Sequence, residues 1–196
     1  MAWAPSYVTT GELRAYLRIL DTVDDAQIAV AVTTASRAVD KAAGRQFGAV
    51  DAAVTWTYTA QWIRPRGVWL VPVDDVATTT GMVVVVDGVT VTDYTLWPRQ
   101  AVAKGKVWTC IVLGPTVTCT GAESGVEVTA LWGWPTVPVA VKQATQLQAS
   151  RFLARRDSPY GVAGSPADGS ELRLLATVDP DVRVALGDYT RKWAVA

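Results

Sequence analysis

Carboxylates are the side chains of this sequence with the clearest capacity for chemistry, because the chain contains no histidine. Histidine is the commonest general base and the commonest transition-metal ligand in proteins. Its absence excludes a Ser-His-Asp or Cys-His enzyme and disfavours most zinc enzymes. The carboxylates that remain to be explained are three early aspartates within five residues and three in the middle of the chain: Asp21, Asp24, Asp25, Asp74, Asp75 and Asp93.

The early aspartates are best explained as the start of a helix. Thr22 and Asp25 match the T-x-x-D form of a capping box, and negative charge in a first helical turn is favourable by about 0.3–1 kcal/mol. A divalent metal would need several more oxygen ligands, and no EF-hand spacing follows. The sequence therefore predicts helix capping here and no metal site.

The middle aspartates and the glycine-rich stretches give little support to an enzyme. Asp74 and Asp75 are predicted to lie in a turn at the end of a strand, and an acid-based hydrolase that uses Asp74, Asp75 or Asp93 is a disfavoured alternative. The segments GRQFG, GVAGSPADG and GAESG lack the P-loop lysine and the Rossmann spacing. We expect no catalytic residues and no cofactor.

Composition limits the remaining classes. Eighteen basic residues balance eighteen acidic ones, and no segment has the basic excess of a dedicated nucleic-acid binder. No apolar run reaches the roughly 18–20 residues of a membrane span, and the first residues do not resemble a signal peptide. Cys110 and Cys119 are interpreted as two half-buried free thiols, and the alternative is a disulfide between adjacent strands.

Helical patterns occur at both ends of the chain. Thr9 and Glu12 form a predicted capping box, followed by apolar residues at helical spacing that end at Leu20. A second helix of about twenty residues ends at a predicted left-handed cap, Gly44. Its core face is Ile28, Val32, Ala35, Val39 and Ala42. A third helix begins near Pro138, with Val141, Ala144, Leu147 and Phe152 toward a core and Lys142, Gln146, Arg151 and Arg155 toward solvent.

Between these helices, short β-branched runs predict an antiparallel sheet or barrel of five to seven strands. Asp87-Gly88 is a signal for a two-residue hairpin turn, and Pro72 suggests an edge strand. The predicted fold is α+β: a small helical bundle of three main helices and a short C-terminal helix, formed by residues 8–51 and 135–196, with an inserted antiparallel β domain at residues 52–134. The C-terminal helix is expected to have Asp179 as its cap and Pro180 in its first turn.

Two further features suggest interfaces. The chain has nine tryptophans, most of them in the β region, where packing or interface contact is favoured over a stacking platform for sugars or bases. Trp132-Gly133-Trp134 is interpreted as a packed corner. After Arg156 the sequence predicts a loop or flexible arm followed by an apolar tail, which either binds a partner or folds back on the core.

Four stretches, in their order along the chain, carry a family resemblance: GELRAYLRILDTVDDAQIAVAVTTASRAVDKAAGRQFG, DGVTVTDYTLWP, ALWGWPTVPVAVKQATQLQASRFLARRDSPYGVAG and DPDVRVALGDY. Within the first stretch, the second predicted helix has the pattern of an acidic start and the ending ASRxxDxxxGRxF. In these motifs the sequence resembles the head-to-tail connector (head-completion adaptor) proteins of long-tailed phages, especially phages of actinobacteria. These motifs are short, so the resemblance depends on their order and on their coverage of most of the chain.

The resemblance implies a structural virion protein of the head-tail interface, without enzymatic activity, that assembles in the host cytoplasm. Such a protein forms a ring under the portal, with twelve copies to match it, extends the DNA channel and offers a platform to the next neck or tail protein. Genomic DNA would pass through without sequence-specific binding. The implied portal-binding or subunit-binding residues are Arg155, Arg156, Tyr160, Leu172, Leu174, Leu175, Tyr189 and Trp193. The alternative is a carbohydrate- or partner-binding β module carried on helices, with Trp62, Trp69 and Trp97 as the contact residues.

Overall fold

The computed structural model describes residues 3–157, 162–163, 172–173 and 179–191. Over these residues the chain is a mixed α/β protein with four α-helices and two four-stranded antiparallel sheets. Its contacts divide into two compact units. We call Trp3 with Gly48–Thr136 the β unit, and the described residues of Ala4–Phe47 and Val137–Arg191 the helical unit.

Helix α1 (Thr10–Leu17) begins with the predicted capping box. The Thr9 hydroxyl accepts a hydrogen bond from the Glu12 N–H at 3.1 Å, and Glu12 Oε2 accepts one from the Thr9 N–H at 2.6 Å. The helix ends earlier than the apolar spacing suggested, because Arg18 adopts a left-handed cap with φ 58°. Leu13 is buried, but Leu20 lies beyond the helix and is 99% exposed, so the prediction that the helical spacing extends to Leu20 is wrong.

Helix α2 (Asp25–Ala43) ends as predicted at Gly44, which has φ 65°. The predicted capping box at its start is wrong. Asp24 takes the N-cap position with φ −92° and ψ 8°, outside the extended conformation typical of a capping residue, and its side chain makes no capping bond. The Asp25 N–H instead donates to the backbone carbonyl of Thr22 at 3.3 Å, so a backbone turn replaces the bond expected from the Thr22 hydroxyl.

Helix α3 (Val139–Asp157) packs against α1, α2 and the short helix α4 (Pro180–Leu186). Asp179 caps α4 as predicted, accepting a hydrogen bond from the Asp181 N–H at 2.9 Å. Arg151 does not simply face solvent, because its guanidinium lies 3.2 Å from the Asp179 carboxylate and its side chain is only 19% exposed. This ion pair joins the C-terminal half of α3 to the start of α4.

The β unit contains eight strands rather than five to seven. Two differences account for the larger number. The strand β2 is only three residues long and has no apolar run of its own, and Thr92-Asp93 divides one apolar run into β5 and β6. One sheet has the order β1-β8-β4-β5 and the other β2-β3-β7-β6. The strands are β1 (Val54–Tyr58), β2 (Gln61–Ile63), β3 (Val68–Val76), β4 (Val83–Val86), β5 (Val89–Val91), β6 (Tyr94–Trp97), β7 (Trp108–Leu113) and β8 (Val126–Ala130).

One apolar core lies between the two sheets. Alternate residues of β3, β4, β7 and β8 point into it, as expected for a sheet with one face toward the core. Buried residues from both sheets form a single cluster that also includes Trp132: Val71, Val73, Ile111 and Leu113 from one sheet, and Val84, Val86, Val126 and Val128 from the other.

Two turn signals in this region have different outcomes. Asp87 and Gly88 form the predicted two-residue turn between β4 and β5, with φ 48° and 81°. The edge position suggested by Pro72 is wrong, because β3 lies between β2 and β7. Pro72 is tolerated there since β2 pairs only with Val68–Leu70, and the pairing with β7 shifts register just after Pro72.

The predicted arm after Arg156 lies largely outside the described residues. Within it, β9 (Val162–Ala163) pairs antiparallel with β10 (Leu172–Arg173). At these four positions the structure has two short strands where the sequence predicted a continuous loop.

The two ends of the β unit meet at Gly133. Ala49 and Gly133 form an antiparallel bridge, and the Trp134 N–H donates to the Gly48 carbonyl at 2.9 Å. Gly133 has φ 102°, and a Cβ at this position would overlap the Gly48 carbonyl oxygen and lie 2.8 Å from the Ala49 Cα. Only glycine fits this close approach without a backbone shift.

We therefore expect Gly133→Ala to lower the free energy of unfolding of the β unit by about 2–5 kcal/mol, the sum of positive-φ strain and overpacking. Gly81→Ala is the matched control, because Gly81 has φ 68° but a methyl group added there would meet nothing within 4 Å. It should cost only about 1–2 kcal/mol. Urea unfolding followed by tryptophan fluorescence measures both values, and equal losses would contradict the close approach.

Candidate functional site

The predicted portal-binding residues are distributed over three elements. Arg155 is half-buried in the last turn of α3, Leu172 lies on β10 opposite Ala163, and Tyr189 follows α4. The Arg156 side chain and the residues Tyr160, Leu174, Leu175 and Trp193 lie outside the described part of the chain.

The segment from Asp179 to Arg191 folds back on its own helical unit. The Tyr189 ring packs edge-on against Phe47, with 6.1 Å between the ring centroids, and the Arg191 N–H donates to the Ala43 carbonyl at 2.8 Å. Val182 and Leu186 of α4 are buried. The sequence left open whether the apolar tail binds a partner or folds back on the core, and this part of the tail folds back on the core.

A buried polar cluster joins the first residues of the helical unit to α2. The Tyr7 hydroxyl donates to the Asp40 carboxylate and accepts from the Phe47 N–H at 2.9 Å. Arg37 lies 3.1 Å from the other oxygen of Asp40, and the Ser36 hydroxyl accepts from the Tyr7 N–H at 3.1 Å. Four residues of the ASRAVDKAAGRQF segment, Ser36, Arg37, Asp40 and Phe47, are thus used for packing around Tyr7.

Burial is the main cause of the altered protonation behaviour in this cluster. It raises the pKa of Asp40, although the hydrogen bond from Tyr7 and the charge of Arg37 oppose the shift. Burial and the hydrogen bond to Asp40 raise the pKa of Tyr7 well above its usual value. Tyr7 therefore stays a phenol that donates and accepts at once, which suits a structural tie. The sequence pattern did not reveal it, because Tyr7 and Asp40 are far apart in the chain.

The middle carboxylates are also used in structural hydrogen bonds. Asp74 and Asp75 lie within β3 rather than in a turn, so that expectation is wrong. Asp75 is buried and accepts a hydrogen bond from Trp134 Nε1 at 2.8 Å, while Asp74 accepts one from the Tyr58 hydroxyl at 3.2 Å. Asp93 accepts hydrogen bonds from the hydroxyl and the N–H of Thr116.

The thiols and the possible metal ligands form no site among the described residues. Cys110 and Cys119 are both free, and burial raises the pKa of the Cys110 thiol to about 12. No group of three or more Cys, Asp or Glu side chains in the described ranges is placed to hold a metal ion.

Most tryptophans of the β unit have packing roles. Trp132 and Trp134 are buried on either side of Gly133, which confirms the packed corner, and Trp56 stacks on Trp132 with 4.6 Å between centroids. Trp62 is 48% exposed beside Trp69, and Trp97 is 46% exposed. The strand register places Trp97 on the opposite face of its sheet from Trp62 and Trp69, so the three rings cannot form one platform.

Two exposed surfaces were not anticipated from the sequence. The first, which we call the α1–α2 tip, comprises residues 18–24, where Leu20 is 99% and Val23 is 87% exposed. The second, the basic loop, comprises residues 98–107 between β6 and β7 and exposes Arg99, Lys104 and Lys106. A sequence signal existed for the loop, because residues 94–122 contain three cations and no acidic residue.

Comparisons with known proteins add no family. No protein-family model matches the chain, and neither does any curated protein. Among the described residues, no helix combines the length and the apolar character needed to cross a membrane.

The polar cluster makes a direct prediction. Tyr7→Phe should lower the free energy of unfolding of the helical unit by about 1–3 kcal/mol, because it removes the hydrogen bond that the hydroxyl donates to Asp40 and the one that it accepts from the buried Phe47 N–H. Tyr16→Phe, at an exposed position of α1, should change it by less than about 0.5 kcal/mol. Denaturant unfolding followed by far-ultraviolet circular dichroism measures both. Equal effects would show that the Tyr7 hydroxyl does not tie the unit together.

Proposed function

We propose that the chain is a structural virion protein, a head-to-tail adaptor. In this role it forms a ring of twelve copies under the portal at the head-tail interface and extends the DNA channel. It also provides a docking platform for the next neck or tail protein. We also propose that the helices form one small bundle, with α1, α2 and α3 as its main helices and α4 as a short fourth helix.

The observation that carries the proposal is the insertion of the β unit between α2 and α3. The resemblance to connector proteins implies a helical core with an inserted β domain. The contacts here separate a β unit, Gly48–Thr136, from helices that precede and follow it in the chain. This order of elements supports the proposal independently of any single motif.

The use of the family-like motif also supports the proposal. Ser36, Asp40 and Phe47 of ASRAVDKAAGRQF all contact Tyr7, through hydrogen bonds or through the rings. A motif whose side chains serve the packing of the helical unit fits a protein whose work is assembly rather than chemistry.

Charge is consistent with passive contact with DNA. A net charge of zero avoids the strong, salt-dependent phosphate binding that would slow DNA in a channel. We therefore propose that genomic DNA passes without sequence-specific binding, and that the stable partners are the portal, neighbouring copies and a downstream neck or tail protein.

A second candidate function, a carbohydrate- or partner-binding β module, has narrower support. Trp62 is half-exposed and packs beside Trp69, with 5.3 Å between the ring centroids, which is one small stacking surface. A glycan array discriminates between the two functions, since binding that is lost in Trp62→Ala would favour the module.

Binding to the portal tests the adaptor role. We expect the chain to co-sediment with assembled portal protein encoded by the same genome. Replacing Leu172, Leu174 and Leu175 with Ser should weaken binding about tenfold or more, the usual cost of truncating apolar anchor residues. Val184→Ser, at an exposed position of α4, is the control and should bind as the parent chain does.

Failure of the parent chain to bind the portal would contradict the proposal itself. Undiminished binding by the triple variant would instead remove the three leucines from the portal-binding surface.

A further inference from the structure

The α1–α2 tip exposes more apolar surface than a solvated turn requires. Leu20 and Val23 are almost wholly exposed, and the turn that carries them is held in place. Asp21 accepts a hydrogen bond from the Val23 N–H at 3.2 Å, and Arg14 donates to the Asp21 carbonyl at 3.2 Å. Single exposed apolar residues are common, but two at the apex of an ordered turn indicate a contact surface.

The charge around this tip is acidic. The tip, residues 18–24, contains two aspartates and one arginine, a net charge of −1, and Asp25 follows it directly. Residues 19–36 contain no lysine or arginine at all. Arg14 lies 3.5 Å from Asp25 and offsets the charge of that residue.

The basic loop has the opposite character. Residues 98–107 carry Arg99, Lys104 and Lys106 and no acidic residue, a net charge of +3. None of these three cations forms an ion pair with another described residue. Trp97 and Val102 are each 46% exposed beside them, so this loop too combines apolar surface with charge of one sign.

The loop is also ordered. Ala101 and Val107 are buried, and the Ala101 carbonyl accepts hydrogen bonds from the Lys104 N–H at 3.0 Å and the Lys106 N–H at 2.9 Å. An ordered loop loses little conformational entropy when it binds, which favours a specific contact.

We propose that the α1–α2 tip of one copy of this chain binds the basic loop of a second copy. Leu20 and Val23 would pack against Trp97 and Val102, while Asp21 faces Arg99, Lys104 and Lys106. Apolar residues surrounded by charges of opposite sign on the two sides are the usual anatomy of a protein interface.

A second copy accounts for both surfaces at once. A nucleic acid would account for the cations of the loop but not for the exposed leucine and valine of the acidic tip. The contact is heterologous, since two different surfaces meet, and a heterologous contact that closes on itself generates a ring. The inference rests on the proposed ring function, for which it identifies the contact between neighbouring subunits.

Disulfide cross-linking between two differently tagged chains tests the contact. One chain carries Val23→Cys and the other carries Val102→Cys, so only a contact between copies can join them. Under mild oxidation we expect this mixed pair to exceed, about tenfold, the pair of Val23→Cys with Val184→Cys, although Val184 on α4 is more exposed than Val102, 81% against 46%. The parent chain, with Cys110 and Cys119, gives the background.

Charge reversal tests the same contact without a covalent bond. Lys104→Glu with Lys106→Glu should lower the mixed cross-link about tenfold, because like charges then meet the acidic tip. Asp21→Lys in the other chain should restore most of it. Unchanged cross-linking in the reversed loop, together with lost salt-dependent binding to duplex DNA, would overturn the inference in favour of a nucleic-acid contact.

The remaining outcomes are also decisive. A mixed pair no stronger than the control, or a dominant Val23→Cys homodimer, overturns the inference even if the chain binds the portal. A strong mixed cross-link in a chain that does not bind the portal supports the contact between copies and contradicts the adaptor function.

Discussion

The return of the chain to Gly133 is the constraint on which the β unit depends. A module inserted between two helices must begin and end at nearly the same place, and here the backbone at Gly133 comes so close to Gly48 that no side chain fits. The buried rings of Trp132 and Trp134 lie on either side of this glycine. Asp75 completes the arrangement, because its backbone carbonyl accepts from the Gly133 N–H and its carboxylate from Trp134.

Features set by local backbone chemistry could be predicted from the sequence. The Thr9–Glu12 capping box, the Gly44 cap, the Asp87-Gly88 turn and the Asp179 cap each depend on residues within four positions of one another. The features that were missed depend on distant partners or on a competing local bond. Tyr7 meets Asp40 only after folding, and Pro72 sits in a central strand because its neighbour β2 is short. A turn at Thr22 displaced the expected cap.

The two units use their polar residues in similar ways. In the helical unit, Tyr7, Arg37 and Asp40 form a buried cluster, and in the β unit Asp75 and Trp134 form a buried pair. Asp75, one of the carboxylates that raised the question of catalysis, therefore contributes a hydrogen bond to packing. Among the described residues, the apolar, acidic α1–α2 tip and the basic loop are exposed, and the proposed role in assembly rests partly on their complementarity. Leu20 belongs to the tip because α1 ends before it, at Leu17.

The position of the chain in an assembled particle tests the central claim most directly. Cryo-electron microscopy of intact virions from the source genome, reconstructed at the neck without imposed twelvefold symmetry, should show this chain as a ring directly below the portal. Both the helical unit and the β unit should fit the density. Particles made without the gene should lack that ring. Density for the chain at the capsid surface or the tail tip, or its absence from particles, would contradict the adaptor role.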